Sequence, residues 1–148
     1  MVRDTVSSLK PVAYERVSTA RQGRSGLGLE AQRKAIDAFA AAKEARVLGH
    51  FTEVESGRKN DRPELEKALD LARLTGATLV IAKLDRLSRS LLDFAGLMVT
   101  AKEQGWAVVA LDLGIDMSTP SGALMANVMA SFAEYERQLI SQRTTDAL

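Results

Sequence analysis

The alternation of strand-like and helix-like segments along nearly the whole chain constrains its fold more than any other feature of the sequence. Four short apolar runs, rich in β-branched residues, have the length of strands and lie at residues 12–17, 47–54, 77–82 and 107–111. Helical patterns separate these runs and lie at residues 29–44, 63–75 and 91–104. Gly76 and Gly105 follow the last two patterns in the position of helix C-caps. We therefore predict an α/β fold with a mostly parallel central sheet of four to five strands flanked by helices, and functional residues just beyond the carboxyl ends of strands.

A long helix is predicted near the C-terminal end of the chain. Thr119 has the character of an N-cap, Pro120 suits the first helical position, and the helical pattern continues to about residue 143. Its apolar residues recur at steps of three and four, and they are Leu124, Val128, Phe132, Tyr135 and Leu139, with Met125, Met129 and Ile140 widening the stripe. This is more apolar surface than one packing face requires. The helix either binds a partner or packs on its own domain, and Met residues fit both alternatives.

Composition excludes several classes of protein. The 148 residues suffice for one domain with its own core, and the absence of cysteine together with a single histidine argues against a disulfide framework or a structural zinc site. No apolar run reaches 18 residues, and the first eight residues lack the apolar centre of a signal peptide, so we expect a cytoplasmic protein without a membrane span. The net charge of +1 is low for a dedicated nucleic-acid-binding domain. Any DNA contact must therefore be local or supplied by additional chain.

Two polar segments that follow predicted strands carry the residues of most chemical interest. Ser18 ends the first strand, two residues after Arg16, so both side chains lie on one face of that strand. Asp85, Arg86 and Arg89 follow the third strand, and the spacing of the two arginines places them on one side of a helical turn. Guanidinium groups stay charged and bind phosphate oxygens in bidentate fashion. A serine hydroxyl among them therefore indicates attack on a phosphodiester rather than on an amide.

Other polar features each have two interpretations. Lys83 and the charged residues that follow it could instead form a solvated surface network. Arg62 precedes a helix that proline opens, where a cation is either tolerated through exposure or holds an anion. His50 cannot complete a Ser-His-Asp triad in this pattern, and we expect it to be structural. Residues 26–31 match a loose dinucleotide-binding fingerprint, but they start eight residues after Ser18, too far from the strand for that turn.

Five short motifs occur in order along the chain. They are Tyr-Glu-Arg-Val-Ser-Thr at 14–19, Leu-Glu-Ala-Gln at 29–32, Asp-Arg-Pro at 61–63, Lys-Leu-Asp-Arg-Leu-Ser-Arg at 83–89 and Ala-Glu-Tyr-Glu-Arg at 133–137. Together they resemble the catalytic domain of the serine site-specific recombinases, the family of transposon resolvases and DNA invertases. The resemblance runs from about residue 12 to residue 145. Each motif alone is modest, but five in the same order are highly specific.

The resemblance implies a reaction and a role for each matching residue. Ser18 would attack a DNA phosphodiester, forming a 5′-phosphoserine and releasing a 3′-hydroxyl, so that rejoining needs no ATP. Asp85 would orient an arginine or take part in proton transfer. The groups expected to bind the scissile phosphate are Arg16, Arg62, Arg86 and Arg89, and the supporting polar residues are Gln22, Gln32 and Lys83. The resemblance implies no metal and no cofactor.

The resemblance also implies partners and domain limits. Residues 1–148 would form a catalytic domain, with an α/β core at about 11–118 and an oligomerisation helix at about 119–145. The partners would be a double-stranded DNA recombination site and further copies of the chain, as a homodimer and, at synapsis, a homotetramer. The contacting residues would be Leu124, Val128, Phe132, Glu136, Leu139 and Gln142. We expect the DNA-binding domain to be absent from this chain, and the isolated domain to be inactive alone.

Besides the expected absence of a DNA-binding domain, two departures from the family pattern and two rival interpretations remain. Gln142 stands where the family usually carries Glu, and this loss of charge is expected to shift the balance between dimer and tetramer. Glu15 occupies a variable, often small position; strand alternation places it opposite Arg16, so little effect is expected. One rival is a non-catalytic regulatory or assembly module of the same fold. The other is a flavodoxin-like or receiver-like domain, although a receiver domain needs paired carboxylates that the first strand lacks.

Overall fold

The computed structural model describes residues 9–18, 28–55, 62–83 and 91–147, which form a five-stranded sheet flanked by four α-helices. The strands are β1 (Pro11–Ser18), β2 (Gly49–Glu55), β3 (Thr78–Ile81), β4 (Ala107–Ala110) and β5 (Ile115–Asp116). The helices are α1 (Leu29–Ala42), α2 (Pro63–Thr75), α3 (Leu91–Gln104) and α4 (Pro120–Ala147). The predicted α/β fold with a mostly parallel sheet is confirmed. The short strand β5 and the 3-10 turn before it, Leu111–Leu113, were not predicted.

The order of the strands explains why helices cover both faces of the sheet. The order is β2-β1-β3-β4-β5, with the first four strands parallel and β5 antiparallel to β4. The chain therefore moves in one direction from β1 to β2, and then returns past β1 to β3. Because parallel crossovers are right-handed, this reversal sends α1 to one face and α2 and α3 to the other. Strands β1 and β3 are adjacent and parallel, and the helices that follow them pack on opposite faces of the sheet. In α/β proteins, the crevice between two such strands is the usual place for a ligand.

Apolar packing on the two faces agrees with this topology. On one face, Ile36 of α1 packs with Ala13 of β1 and Val80 of β3. On the other face, a larger cluster joins β1, β3 and β4 to α2, α3 and α4, and it includes Phe94 and Met98 of α3. The central strands are buried from both sides, which is why their sequences read as continuous apolar runs rather than alternating ones.

Strand β1 extends beyond its neighbour β3. Its pairing with β2 continues as far as Ser18, whereas its pairing with β3 covers only Pro11 to Ala13. The last residues of β1 therefore lie at the carboxyl rim of the sheet with no β3 residue beside them. Their backbone groups on that side need other partners.

Helix α4 joins the core through small residues. Thr119 Oγ1 accepts a hydrogen bond from the Gly122 N–H at 3.0 Å, which confirms Thr119 as the N-cap. A Cβ atom at Gly122 would lie 1.6 Å from the carbonyl oxygen of Asp116, so only glycine allows this approach to β5. Ala126 and Ala133 continue the buried face. Met129 also packs against the core, whereas the other large apolar residues of the predicted stripe are exposed, apart from the partly exposed Leu139. Within the described ranges, no helix is long and apolar enough to span a bilayer.

Candidate active site at the carboxyl end of β1

The predicted site residues divide into those that the structure describes and those that it does not. Arg16, Gln32, Arg62 and Lys83 are described, and Ser18 is described as the last residue of β1, without its side chain. Four further predicted residues, Gln22, Asp85, Arg86 and Arg89, lie outside the described ranges. The described residues come from the ends of β1 and β3 and the start of α2, apart from Gln32 of α1. Lys83 is exposed and follows the last residue of β3 by two positions.

Gln32 holds the backbone of Arg16. This side chain is completely buried on α1; its Oε1 accepts a hydrogen bond from the Arg16 N–H at 3.2 Å, and its Nε2 donates one to the Arg16 carbonyl at 3.1 Å. Because the pairing of β1 with β3 ends at Ala13, the glutamine amide supplies the donor and acceptor that a longer β3 would have provided. It thereby fixes the chain two residues before Ser18.

Glu53 connects β2, β1 and the start of α2. Its carboxylate is almost fully buried, and Oε1 accepts hydrogen bonds from the Glu64 and Leu65 N–H groups, both at 3.1 Å, and from the Tyr14 hydroxyl at 3.4 Å. Arg62 occupies the N-cap position of α2, and arginine has no acceptor oxygen with which to cap a helix. Glu53 therefore caps α2 from a neighbouring strand, and its negative charge complements the helix dipole. This fixes the backbone next to Arg62 relative to β1.

Tyr14 is a buried phenol between these charges. Burial raises the pKa of Tyr14 well above its ordinary value, and the negative charge of Glu53 raises it further, while Arg62 and Arg16 act in the opposite direction. Both guanidinium groups are therefore close enough to influence the same hydroxyl. The phenol stays protonated at neutral pH and donates to Glu53, so Tyr14 serves to position the site and cannot act as an exposed nucleophile.

Alkaline pH should reveal the raised pKa of Tyr14. The folded state keeps the phenolic proton above pH 10, whereas the unfolded state loses it near its ordinary pKa of about 10. This group's contribution to stability is thus complete below about pH 10 and declines above it, by up to about 1.4 kcal/mol per pH unit. Urea unfolding between roughly pH 9 and pH 11 should show a shallower decline in the free energy of unfolding for Tyr14→Phe than for the unaltered chain. The control Tyr135→Phe, at an exposed position, should keep the full decline, and equal slopes in both variants would contradict the assignment.

The surroundings of Glu15 differ from the expectation that this residue has little effect. It lies on the face of the sheet that α1 covers, as strand alternation predicts, but it is completely buried, and it contacts Arg33, His50 and Thr52. A buried carboxylate surrounded by polar partners is not a position where substitution has little effect. His50 lies between the carboxylates of Glu15 and Asp37, in agreement with the structural role expected for it.

The sequence interpretation missed Glu53 as well as the contacts of Glu15. One signal was present for each of them. Both are glutamates inside segments predicted as strands, where charged residues require a partner when they are buried. The register that places Glu53 beside Arg16 depends on the pairing of β1 with β2 and has no local signature in the sequence.

Comparison with known proteins assigns these features to one family. The family model "Resolvase, N terminal domain" matches residues 11–148. The chain is 36% identical over 136 residues to the transposon Tn552 resolvase of Staphylococcus aureus, covering 90% of this chain and 63% of the relative. It is also 36% identical over 137 residues to the DNA-invertase of Escherichia phage P1, covering 93% of this chain and 67% of the relative. The chain thus spans about two thirds of the length of these curated relatives.

Solved structures show the same relationship. The N-terminal catalytic domain of TP901-1 integrase superposes with a TM-score of 0.74 at 31% identity, covering 88% of this chain and 98% of that one. A resolvase family site-specific recombinase from Streptococcus pneumoniae superposes with a TM-score of 0.71 at 25% identity, covering 94% of this chain and 95% of that one. The arrangement of the sheet and the long C-terminal helix is therefore shared with catalytic domains of this kind.

Proposed function

Because the chain belongs to the resolvase family of serine site-specific recombinases, we propose that it cleaves and rejoins DNA through a phosphoserine intermediate formed by Ser18. Membership in this family removes the alternative of an unrelated flavodoxin-like or receiver-like domain. It also accounts for the occurrence of the five sequence motifs in one order along the chain.

The observation that carries the proposal is the topological reversal between β1 and β3. Ser18 is the last residue of β1, and the segment with Asp85, Arg86 and Arg89 follows β3 in the sequence. These two strands are adjacent and parallel, so their carboxyl ends lie at the same rim of the sheet, and the helices α1 and α3 that come next pack on opposite faces. A DNA phosphate held in the crevice between them would be reached from both segments.

The proposed reaction is a transesterification with balanced proton transfer. The Ser18 hydroxyl loses its proton as its oxygen bonds to phosphorus, and the 3′ oxygen of the leaving strand gains a proton as its bond to phosphorus breaks. Negative charge grows on the two non-bridging oxygens, where arginines stabilise it without needing to move. The ester retains the energy of the broken linkage, so the reverse attack by a 3′-hydroxyl rejoins DNA without ATP.

Four arginines have proposed roles in this step, two of them in described parts of the chain. Arg16 is anchored through its backbone by Gln32, and Arg62 starts the helix that Glu53 caps. Both positive charges lower the pKa of the same Tyr14 hydroxyl, which supports the proposal that the two arginines act on one anion. Arg86 and Arg89 would complete the phosphate site, Asp85 would orient one of these groups, and Gln22 and Lys83 would support them.

Trapping the covalent intermediate tests the proposed function. The chain should be joined to a DNA-binding domain of known target and incubated with target duplex nicked beside the cleavage position, so that the released fragment diffuses away. After proteolysis, mass spectrometry should find DNA on the peptide that contains Ser18. An adduct on Tyr14 or Tyr135, or no adduct from a folded, DNA-bound protein, would contradict the proposal. The second of these outcomes is the one expected of a non-catalytic assembly module.

The outer face of α4 supports the proposal that the chain assembles with copies of itself. Large apolar residues are exposed along this helix, and they are Leu124, Met125, Val128, Phe132, Tyr135 and Ile140. Two of the residues predicted to contact a partner, Glu136 and Leu139, are only partly exposed, and Gln142 is exposed and donates a hydrogen bond to Asp146 at 3.1 Å. A nearly continuous apolar stripe on a helix whose small residues face its own core favours a second copy as the partner.

Placing a charge on this stripe should dissociate the assembly. The variant Phe132→Glu introduces a carboxylate at a side chain that is 50% exposed, so it should leave folding unaffected while disfavouring burial against a partner. We expect the dissociation constant of the homodimer, measured by sedimentation equilibrium, to rise at least tenfold, the equivalent of roughly 1.4 kcal/mol. Leu74→Glu is the matched control, because Leu74 is 73% exposed on α2. A similar loss of assembly in both variants would contradict α4 as the interface.

A further inference from the structure

A cluster of polar side chains lies between the sheet and the first half of α1. We call it the Glu15 cluster, and its members are Glu15, Arg33, Asp37, His50 and Thr52. Glu15 Oε1 accepts a hydrogen bond from the Thr52 hydroxyl at 3.0 Å and lies 3.8 Å from Arg33 Nε, while Oε2 lies 2.5 Å from His50 Nδ1. Arg33 also donates to the Thr52 hydroxyl at 3.1 Å, and His50 Nε2 lies 3.3 Å from Asp37. The cluster thus joins β1, β2 and α1.

Complete burial makes these contacts necessary for Glu15. A carboxylate taken out of water is tolerated only when charged or hydrogen-bonding partners replace its hydration. Both of its oxygens have such partners. Changing a partner should therefore shift α1 relative to the strands or expose the carboxylate to water, and either outcome alters how the start of α1 sits on β1.

The first turns of α1 contain few residues that could attach them to the sheet, so their position depends on the Glu15 cluster. Gly28 occupies the N-cap position and has no side chain with which to cap the helix. The buried apolar residues of α1 begin at Ile36, one full turn after Gln32. Before Ile36, Gln32 is the one buried side chain of α1, so polar contacts contribute strongly to holding the first turns of the helix against the sheet.

Two consecutive residues of α1 contact two consecutive residues of β1. Gln32 holds the backbone of Arg16, and Arg33 holds the side chain of Glu15. The contact between Arg33 and Glu15 fixes α1 next to Gln32, and this helps to maintain the hydrogen bonds between Gln32 and Arg16. Preorganisation of this kind matters because a displacement of about 1 Å can lower the rate of a positioned reaction by about a hundredfold.

We propose that Glu15 is a positioning residue, which through Arg33 keeps Gln32 bonded to Arg16 and so holds the end of β1 in place. The claim that Glu15 maintains the contact between Gln32 and Arg16 does not depend on which reaction the protein catalyses. The consequence for DNA cleavage rests on the proposed function.

Amide hydrogen exchange in the chain, followed by NMR, tests whether Glu15 and Arg33 maintain the hydrogen bonds between Gln32 and Arg16. The variant Arg33→Gln changes a side chain that is 44% exposed, so the fold should survive. The Arg16 amide should then exchange about tenfold faster, whereas the amide of Val80, in the central strand β3, should keep its protection. Arg33→Lys retains the charge beside Glu15 and should restore most of the protection at Arg16. The matched control is Arg73→Gln, which breaks an ion pair with Asp70 on α2, where the arginine is 48% exposed, and it should change neither amide.

Three outcomes would overturn the proposal. One is an unchanged Arg16 amide in Arg33→Gln. Another is equal acceleration at Arg16 and Val80, which indicates general loosening rather than local positioning. The third is an Arg16 amide that exchanges as fast in Arg33→Lys as in Arg33→Gln. If Arg33→Gln fails to fold, Thr52→Val provides the same test, because it removes the hydroxyl that bonds to both Glu15 and Arg33.

The catalytic consequence needs a second measurement. In the protein joined to a DNA-binding domain, Arg33→Gln should slow formation of the covalent adduct several-fold. In a background that already carries Gln32→Ala, the same change should have no further effect, because the contact through which it acts is gone. Additive losses would contradict the proposed route. If no variant, including the unaltered protein, forms an adduct, then the proposed function fails while the exchange result still decides the role of Glu15.

Discussion

Replacing Ser18 with alanine is expected to abolish the covalent protein–DNA adduct and to lower strand cleavage by roughly a thousandfold or more. Under the proposed mechanism, removal of the hydroxyl leaves the arginines to bind the phosphate but removes the atom that would bond to phosphorus. No other side chain is proposed to take its place as the nucleophile. Initial rates on a nicked target duplex, with adduct followed on a denaturing gel, measure both quantities at once.

Two comparisons make the Ser18→Ala result specific. Ser121→Ala removes a hydroxyl from an exposed position in the first turn of α4 and should leave adduct formation unchanged. DNA binding by Ser18→Ala should also match that of the unaltered protein, because the hydroxyl contributes to chemistry rather than to affinity. Adduct formation that persists in Ser18→Ala would show that another side chain is the nucleophile.

The sequence was sufficient to predict the helices whose ends carry strong local signals. Helix α2 begins at Pro63 and ends at Thr75, as predicted, because proline suits the first helical position and Gly76 adopts the left-handed conformation that closes the helix. Strand β5 was missed because two residues are too few to show a periodicity. It exists because the turn at Gly114 brings Ile115 back against Ala110 of β4. That pairing is a tertiary contact without a local signature.

The sequence predicted that the first strand reaches the region of Ser18, but it did not predict the contacts that support the chain there. The end of a strand-like run identified Ser18 as a rim residue, and the spacing to Arg16 followed from strand geometry. In contrast, Gln32 contacts Arg16 only because β1 extends past β3, a consequence of register that no local pattern encodes. The apolar stripe of α4 left two packing arrangements open. In the structure, the close approach at Gly122 turns small residues inward and leaves most of the large apolar ones exposed, and the proposed self-assembly rests on this arrangement.

Loss of the Glu53 side chain should have the largest effect on stability among the described site residues. Glu53→Ala leaves two N–H groups at the start of α2 and the buried Tyr14 hydroxyl without their shared acceptor. A lost cap and unsatisfied buried donors together should lower the free energy of unfolding by about 2–3 kcal/mol, measured by urea denaturation with an unchanged m-value. Because Arg62 lies only two residues before the first of these N–H groups, we also expect slower formation of the covalent adduct at temperatures where the variant is fully folded.

Two further glutamate variants separate the effect of the Glu53 hydrogen-bond acceptor on α2 from the effect of its negative charge. Glu53→Gln keeps an acceptor oxygen but loses the negative charge at the helix N-terminus, so its cost should be smaller, about 1 kcal/mol. Glu66→Ala removes an exposed carboxylate from the same first turn of α2 and should cost no more than about 0.5 kcal/mol. Loss of Glu53 should in addition lower the pKa of Tyr14, since the negative charge that raises it is gone, although burial still keeps it above its ordinary value. Equal, small losses in Glu53→Ala and Glu66→Ala would mean that α2 is positioned by its apolar contacts alone, and that Glu53 does not fix the backbone next to Arg62.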